Sequence, residues 1–195
     1  PQPPEPAVET APLEPLSRES VGLLEGRRGL GTDLWAGSDR AEIASLIQAL
    51  PARIESAALH GLARRLLLTA GKAPGSEAED DSLIALRVAG LATLGAAEDA
   101  AALLAAAGPR EDDPVLARLG LDLALLRYDL PAACETVRAG IAKHPDPYWQ
   151  KALAFCQAQA GERDQARLGA GLLREAKEED AAFFALLDMM LHDGP

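Results

Sequence analysis

The sequence predicts an all-α fold, an α-solenoid of antiparallel helix pairs, on three observations. Ala100, Ala133 and Ala166 stand 33 residues apart, and the segments around them superimpose in register: Gly95 on Tyr128 and Gly161, Val88 on Leu121 and Ala154, Glu98 on Pro131 and Asp164. A period of that length belongs to helix-turn-helix units, each of which buries its apolar face only by stacking on its neighbours. The chain is 48% hydrophobic but only 4% aromatic, with alanine and leucine dominant, and such side chains suit close helix packing better than sheets. Outside the repeats, apolar residues recur at the three- and four-residue spacing of a helix face.

Residues 1–20 hold six prolines (Pro1, Pro3, Pro4, Pro6, Pro12, Pro15) with Glu5, Glu9, Glu14 and Glu19 and no lysine. That composition predicts a disordered or extended, solvated tail. It lacks the basic flank usual in proline-rich ligands of aromatic grooves. Residues 21–37 form a glycine-rich arm, in which Val21, Leu23, Leu24, Leu30, Leu34 and Trp35 are interrupted by Gly22, Gly26, Gly29 and Gly31. A short helix followed by an irregular segment lying on the first helices is expected. Gly26, Gly29 and Gly31 are not read as a dinucleotide loop, because no strand precedes them and no βαβ unit follows.

Residues 38–71 read as a helical hairpin. Asp39 and Glu42 resemble a capping box for a helix burying Ile43, Leu46, Ile47 and Leu50 and ended by Pro51. A second helix over about 52–69 aligns Ile54, Ala58, Leu59, Leu62 and Leu66, with Gly71, Pro74 and Gly75 beyond it. An acidic loop over 72–81 leads into three repeats at about 82–108, 113–144 and 147–177. The segment 178–195 carries a last helix, Glu179 to His192, with Phe183, Leu186, Leu187 and Met190 on its inner face and Asp188 and His192 outward. Such a helix caps the open end of a solenoid.

Over residues 81–177 the repeats resemble the tetratricopeptide (TPR) family. Leu153 and Ala154 fall at its Leu-Gly pair, Gly161 at its turn, Ala166 at its small helix-B position and Leu173 near the second small position. The middle repeat matches with Gly120, Leu121, Ala133, Gly140 and Pro145, and the first with Val88, Gly95, Ala100 and Ala107. Small residues at these places let the two helices of a pair cross closely. Arg87 stands where the family has leucine, the first repeat lacks the closing proline, and Trp149 fills the tryptophan position approximately. The resemblance implies a right-handed solenoid whose concave face, lined by the first helix of each pair, binds peptides or proteins. Carried over by register, the contact residues are Arg118, Asp122, Tyr148, Lys151, Phe155 and Gln159. The family's clamp for a terminal carboxylate needs asparagines, of which this chain has none.

A net charge of −11, from 30 acids and 19 bases, argues against nucleic acid or an anionic membrane as the main partner. The apolar runs are too short for a transmembrane helix. His60, His144 and His192 form no metal motif, so no metal or cofactor is expected. His144, at the end of a second helix, reads as a C-terminal cation. There is no G-x-S-x-G elbow, and the clusters Glu111, Asp112, Asp113 and Glu178, Glu179, Asp180 read as exposed helix-start acids, so no enzymatic site is expected. Cys134 and Cys156 fit no zinc or redox spacing and read as small buried hydrophobes. Their places on neighbouring helices leave a disulfide open.

The expected function is therefore a non-enzymatic protein-interaction module or scaffold binding a protein or peptide. The alternative is a helical substrate-positioning domain whose catalytic part lies elsewhere in a longer chain. The start at Pro1 reads as the loss of a preceding segment, either a signal peptide or a trimmed end. With the Ala/Leu/Gly/Arg-rich composition, this favours a bacterial periplasm or cell envelope over the cytoplasm.

Overall fold

Side-chain caps set where most of the helices begin. The computed structural model describes residues 17–74, 82–108 and 113–192. Residues 1–16 of the expected 1–20 tail, most of the acidic loop, 109–112 and the last three residues lie outside this set. Asp39 opens α1 (Arg40–Gln48), Ser56 opens α2 (Ala57–Leu68) and Ser82 opens α3 (Leu83–Thr93), each side chain accepting a first-turn N–H. α4 (Ala97–Ala106) follows α3 across a tight turn. Asp113 caps α5 (Pro114–Leu126), Asp129 caps α6 (Leu130–Gly140) and Asp146 caps α7 (Pro147–Gln159). In all three a proline occupies the first helical turn, where its missing N–H costs nothing. α8 (Arg163–Glu175) and α9 (Ala181–His192) complete the chain. Among the described residues the fold is all-helical, with no named strand.

The 33-residue period recurs in the backbone. At the turns after α3, α5 and α7, Gly95, Tyr128 and Gly161 adopt φ of 78°, 56° and 78°. Each turn closes with the same two bonds: Ala96 to Leu91 and Gly95 to Ala92, Asp129 to Ala124 and Tyr128 to Leu125, Glu162 to Gln157 and Gly161 to Ala158. This is the Schellman pattern, which uses up the last helical carbonyls and reverses the chain. A left-handed backbone costs a residue with a Cβ about 1 kcal/mol, a cost the two glycines escape and Tyr128 does not. Ala100, Ala133 and Ala166 are completely buried, as are Val88 and Leu121. Gly140 also has no room for more: an added Cβ would stand 2.6 Å from the Trp149 ring.

Consecutive helices from α3 to α8 pack in order, and α3 also packs on α5 and α7 on α9. The apolar interior is divided into three clusters along the chain. The largest joins Trp35, α1, α2, α3, α4 and part of α5; the second lies between α5, α6 and α7; the third lies between α7, α8 and α9.

The first two helices depart from expectation. α1 and α2 both pack on α3 rather than chiefly on one another, so the expected hairpin is opened around a shared third helix. α2 begins at Ala57 and is turned about its axis: Ala63, Leu67 and Leu68 are buried, while Leu59 and Leu62 face solvent. Polar contacts accompany this rotation. His60 Nε2 donates to the Leu94 carbonyl at 3.1 Å, Arg64 pairs with Asp99, and Arg65 donates to the carbonyls of Arg27, Arg28 and Gly29. Leu46 of α1 is likewise exposed.

The arm does lie on the first helices, but as extended backbone with one short 3-10 turn, Gly26–Arg28, instead of a helix, and the end of the expected tail forms a second such turn, Arg18–Ser20, with Glu19 buried. Leu23 and Leu24 donate to the Leu68 carbonyl, and Ala70 returns a bond to Leu24. Gly22 is needed because a Cβ there would lie 2.1 Å from the Ala70 nitrogen. Arg87 of α3, only 1% exposed, reaches through this layer. Its guanidinium donates to the carbonyls of Leu67 (2.8 Å), Thr69 (2.8 Å), Val21 (2.7 Å) and Glu19 (3.2 Å). The buried Glu19 carboxylate accepts from Ile84 N–H and Ser82 Oγ at the start of α3 and pairs with Arg40 at 3.4 Å. An anion there also complements the helix dipole. Burial pushes the Arg87 pKa down to about 10, with Glu19 pulling in the opposite direction, so the group stays charged at neutral pH.

Removing the Arg87 guanidinium strands the four carbonyls it serves, while Glu19 keeps Arg40. Arg87→Leu is expected to lower the stability in urea unfolding by about 3 kcal/mol. Trypsin cleavage after Arg27 and Arg28 should accelerate with it, because the arm loses its fastening.

Candidate functional site

α3, α5 and α7 come from three successive repeats, and together they line a groove of about 700 Å³. α3 contributes Ala89, Ala92 and Thr93; α5 contributes Leu119, Asp122, Leu125 and Leu126; α7 contributes Phe155. Tyr128 and Leu130, in the turn after α5, complete the rim. The lining is aliphatic and aromatic except for Thr93, Asp122 and the Tyr128 hydroxyl. A smaller hollow of about 360 Å³ adjoins it, sharing Leu119 and Asp122 and adding Arg118, Asp146 and Trp149.

Four of the six residues singled out from the sequence meet here. Tyr148 donates its hydroxyl to Asp122, and the Arg118 guanidinium lies over the Tyr148 ring at 4.1 Å. These contacts bridge α5 and α7. Burial, then the Asp122 hydrogen bond, raises the Tyr148 pKa well above the ordinary phenol value, so Tyr148 remains a donor. Phe155 is half-buried on the far wall.

The other two stand apart. Lys151 is engaged within the chain, with Glu178 and Asp180 each 2.9 Å from its ammonium, and it fastens the start of α9 to α7. Gln159 is exposed and lines neither hollow. The residue that the family pattern passed over is Tyr128. Its signal was present in the register, as a tyrosine where the other two repeats have glycine.

The open question of the cysteines is resolved: Cys134 of α6 and Cys156 of α7 are joined in a disulfide, with Cα atoms 5.5 Å apart. The bond crosses the middle cluster, whose other buried members are mainly alanines around Trp149. It thereby fastens the α7 wall of the groove to the α5–α6 pair. His144, just beyond α6, stacks on Trp149 with ring centroids 5.1 Å apart. Among the described residues, no group of three or more His, Cys, Asp or Glu is placed to hold a metal ion, and no helix is long and apolar enough to cross a membrane.

α9 is rotated from the expected face. Leu187 and Leu191 are buried, Phe183, Phe184 and Met190 are half-buried, and Leu186 is exposed. Asp188 stays on the solvent side, where it pairs with Arg174 at 2.9 Å, and Arg174 also covers the Phe184 ring at 4.5 Å.

No protein-family model matches this chain, and neither a curated protein nor a solved structure matches it significantly.

Two outcomes follow from these fastenings. Replacing both cysteines with serine should lower stability by about 3 kcal/mol, from the entropy regained by the opened loop in the unfolded chain, as measured by denaturant titration. The Asp180 pKa is held below its ordinary 3.8, first by the Phe183 N–H and then by Lys151, while Lys151 is raised by its two carboxylates. The stabilisation from Asp180 is thus complete above its unfolded pKa and lost as pH falls through the lower folded value. That from Lys151 is complete below its unfolded pKa and lost as pH rises through the higher folded value. Asp180→Asn should therefore remove part of the acid-induced fall in melting temperature measured between neutral pH and pH 2.

Proposed function

We propose that this chain is a non-enzymatic interaction module: a right-handed TPR-like solenoid over residues 82–177, capped by α9, that holds a protein or peptide segment against the first helices of its pairs and so scaffolds a larger assembly. The observation that carries this reading is the groove, because α3, α5 and α7 contribute equivalent faces to one apolar trough. Its small floor residues, Ala89 and Ala92, admit the backbone or side chains of a ligand where larger residues would fill the space. Nucleic acid is a poor match to this surface. The net charge is −11, and Arg40, Arg65, Arg87 and Lys151 are spent on contacts within the chain.

The same reading assigns the protein to an oxidising compartment, a bacterial periplasm or cell envelope. The Cys134–Cys156 disulfide supports this, since such bonds persist where thiols are not kept reduced.

Photo-crosslinking in the native cells tests the module. A photoreactive phenylalanine analogue at position 126, an exposed leucine on the groove lining, should capture one partner protein, while the same analogue at exposed position 135 on α6 should not. Equal capture from both positions, or none from position 126, would sink the reading.

A further inference from the structure

Resting on that reading, we propose that Tyr128 is held at the lip of the groove to contact the partner, and that the occupant is an amphipathic protein segment presenting aliphatic side chains and one lysine or arginine toward Asp122. Tyr128 has a left-handed backbone, φ 56°, at a turn that Gly95 and Gly161 form in the neighbouring repeats with the same hydrogen bonds. The turn itself needs no side chain there, and glycine relieves the Cβ conflict. Nor does the ring recover the cost by packing, being 88% exposed. Lys177, the other residue with a Cβ in this conformation among the described residues, follows the end of α8, where a cation is favoured by the helix dipole. Tyr128 has no such compensation. A strained residue that contributes nothing to the core is informative about function, and an exposed tyrosine on an apolar rim is a typical interface anchor.

The chemistry of the occupant follows from the lining. A volume of about 700 Å³ accommodates several aliphatic side chains, and Asp122 is the ionisable carboxylate among them. One Asp122 oxygen accepts from Tyr148, and its other oxygen receives no hydrogen bond among the described residues. Arg118 stacks on the Tyr148 ring and lines the adjoining hollow with Asp122, but no salt bridge or hydrogen bond joins the two side chains among the described residues. An apolar trough with an underused carboxylate, on a chain of net charge −11, selects a cation on an otherwise apolar segment. This is helix-in-groove recognition with a charge fixing the register.

A random 16-residue peptide library displayed on phage, selected against the full oxidised chain, tests the proposal. Enriched peptides are expected to share aliphatic residues with a lysine or arginine at a constant position. By fluorescence polarisation, Tyr128→Gly should weaken their binding at least fivefold without lowering the melting temperature, and Asp122→Asn should abolish the advantage of lysine over glutamine at that position. Enriched peptides that are acidic or uncharged, or that bind Tyr128→Gly as tightly as the native chain, would overturn the proposal. A melting temperature lowered in Tyr128→Gly would also overturn it, by making the tyrosine structural. If no peptide is enriched, or binding survives a groove filled by Ala92→Trp, the groove reading fails as well. Charge-independent binding that Ala92→Trp blocks removes only the present inference.

Discussion

The N-terminal half depends on a charge placed where charge is most expensive. Arg87 sits in the middle of α3, on the face that in an ordinary helical repeat would carry an aliphatic residue, and is buried as completely as the leucines around it. Its desolvation is offset because the guanidinium donates to four carbonyls and faces a buried carboxylate. Three of those carbonyl groups, at Glu19, Val21 and Thr69, belong to irregular backbone that lacks a helical ladder. Arg87 thus does for the arm and the end of α2 what a sheet neighbour does for a strand. Glu19 then ties the arm to the start of α3 and to α1 through Arg40, so one network fixes α1, α2, α3 and the arm together.

The C-terminal half is held differently. Its clusters are small and rich in alanine, which brings helices close but buries little area per residue. Covalent and ionic fasteners supplement that packing. The disulfide joins α6 to α7, Lys151 joins α7 to the start of α9, and Arg174 joins α8 to α9. The groove lies where these two styles meet. Its α3 wall belongs to the arginine-clamped body, and its α7 wall is positioned by the disulfide and by the Tyr148–Asp122 bond. In the proposed reading, a partner seated there would touch both halves.

How much was legible in the sequence can be judged at particular residues. The turn positions 95, 128 and 161 and the buried alanines 100, 133 and 166 followed from the period alone, because each is set by contacts within one repeat or with the next. The contact set came from the family resemblance instead, which places it on the first helix of each pair. Arg118, Asp122, Tyr148 and Phe155 accordingly come together. Lys151 was on the anticipated face too, but the segment leading into α9 brings two acids to it, and no spacing rule within α7 anticipates a carboxylate 27 residues away. The stripe assigned to α2 failed for a similar reason: Leu59 and Leu62 satisfy a helical period, yet it is Ala63, Leu67 and Leu68 that meet the shared core, with His60, Arg64 and Arg65 reaching distant partners.

By itself the sequence determined the helical class, the phase of the repeats and most of the helix starts. Those depend on side chains within a few residues of one another, through caps, turn conformations and the 3.6-residue period. Tertiary structure alone decided which charges were buried, how α2 and α9 were rotated, that the cysteines met and that the arm was fastened by Arg87. Each of these joins residues far apart in sequence, 68 positions in the case of Arg87 and Glu19. The energy of such a contact depends on geometry that exists only once the chain has folded around it.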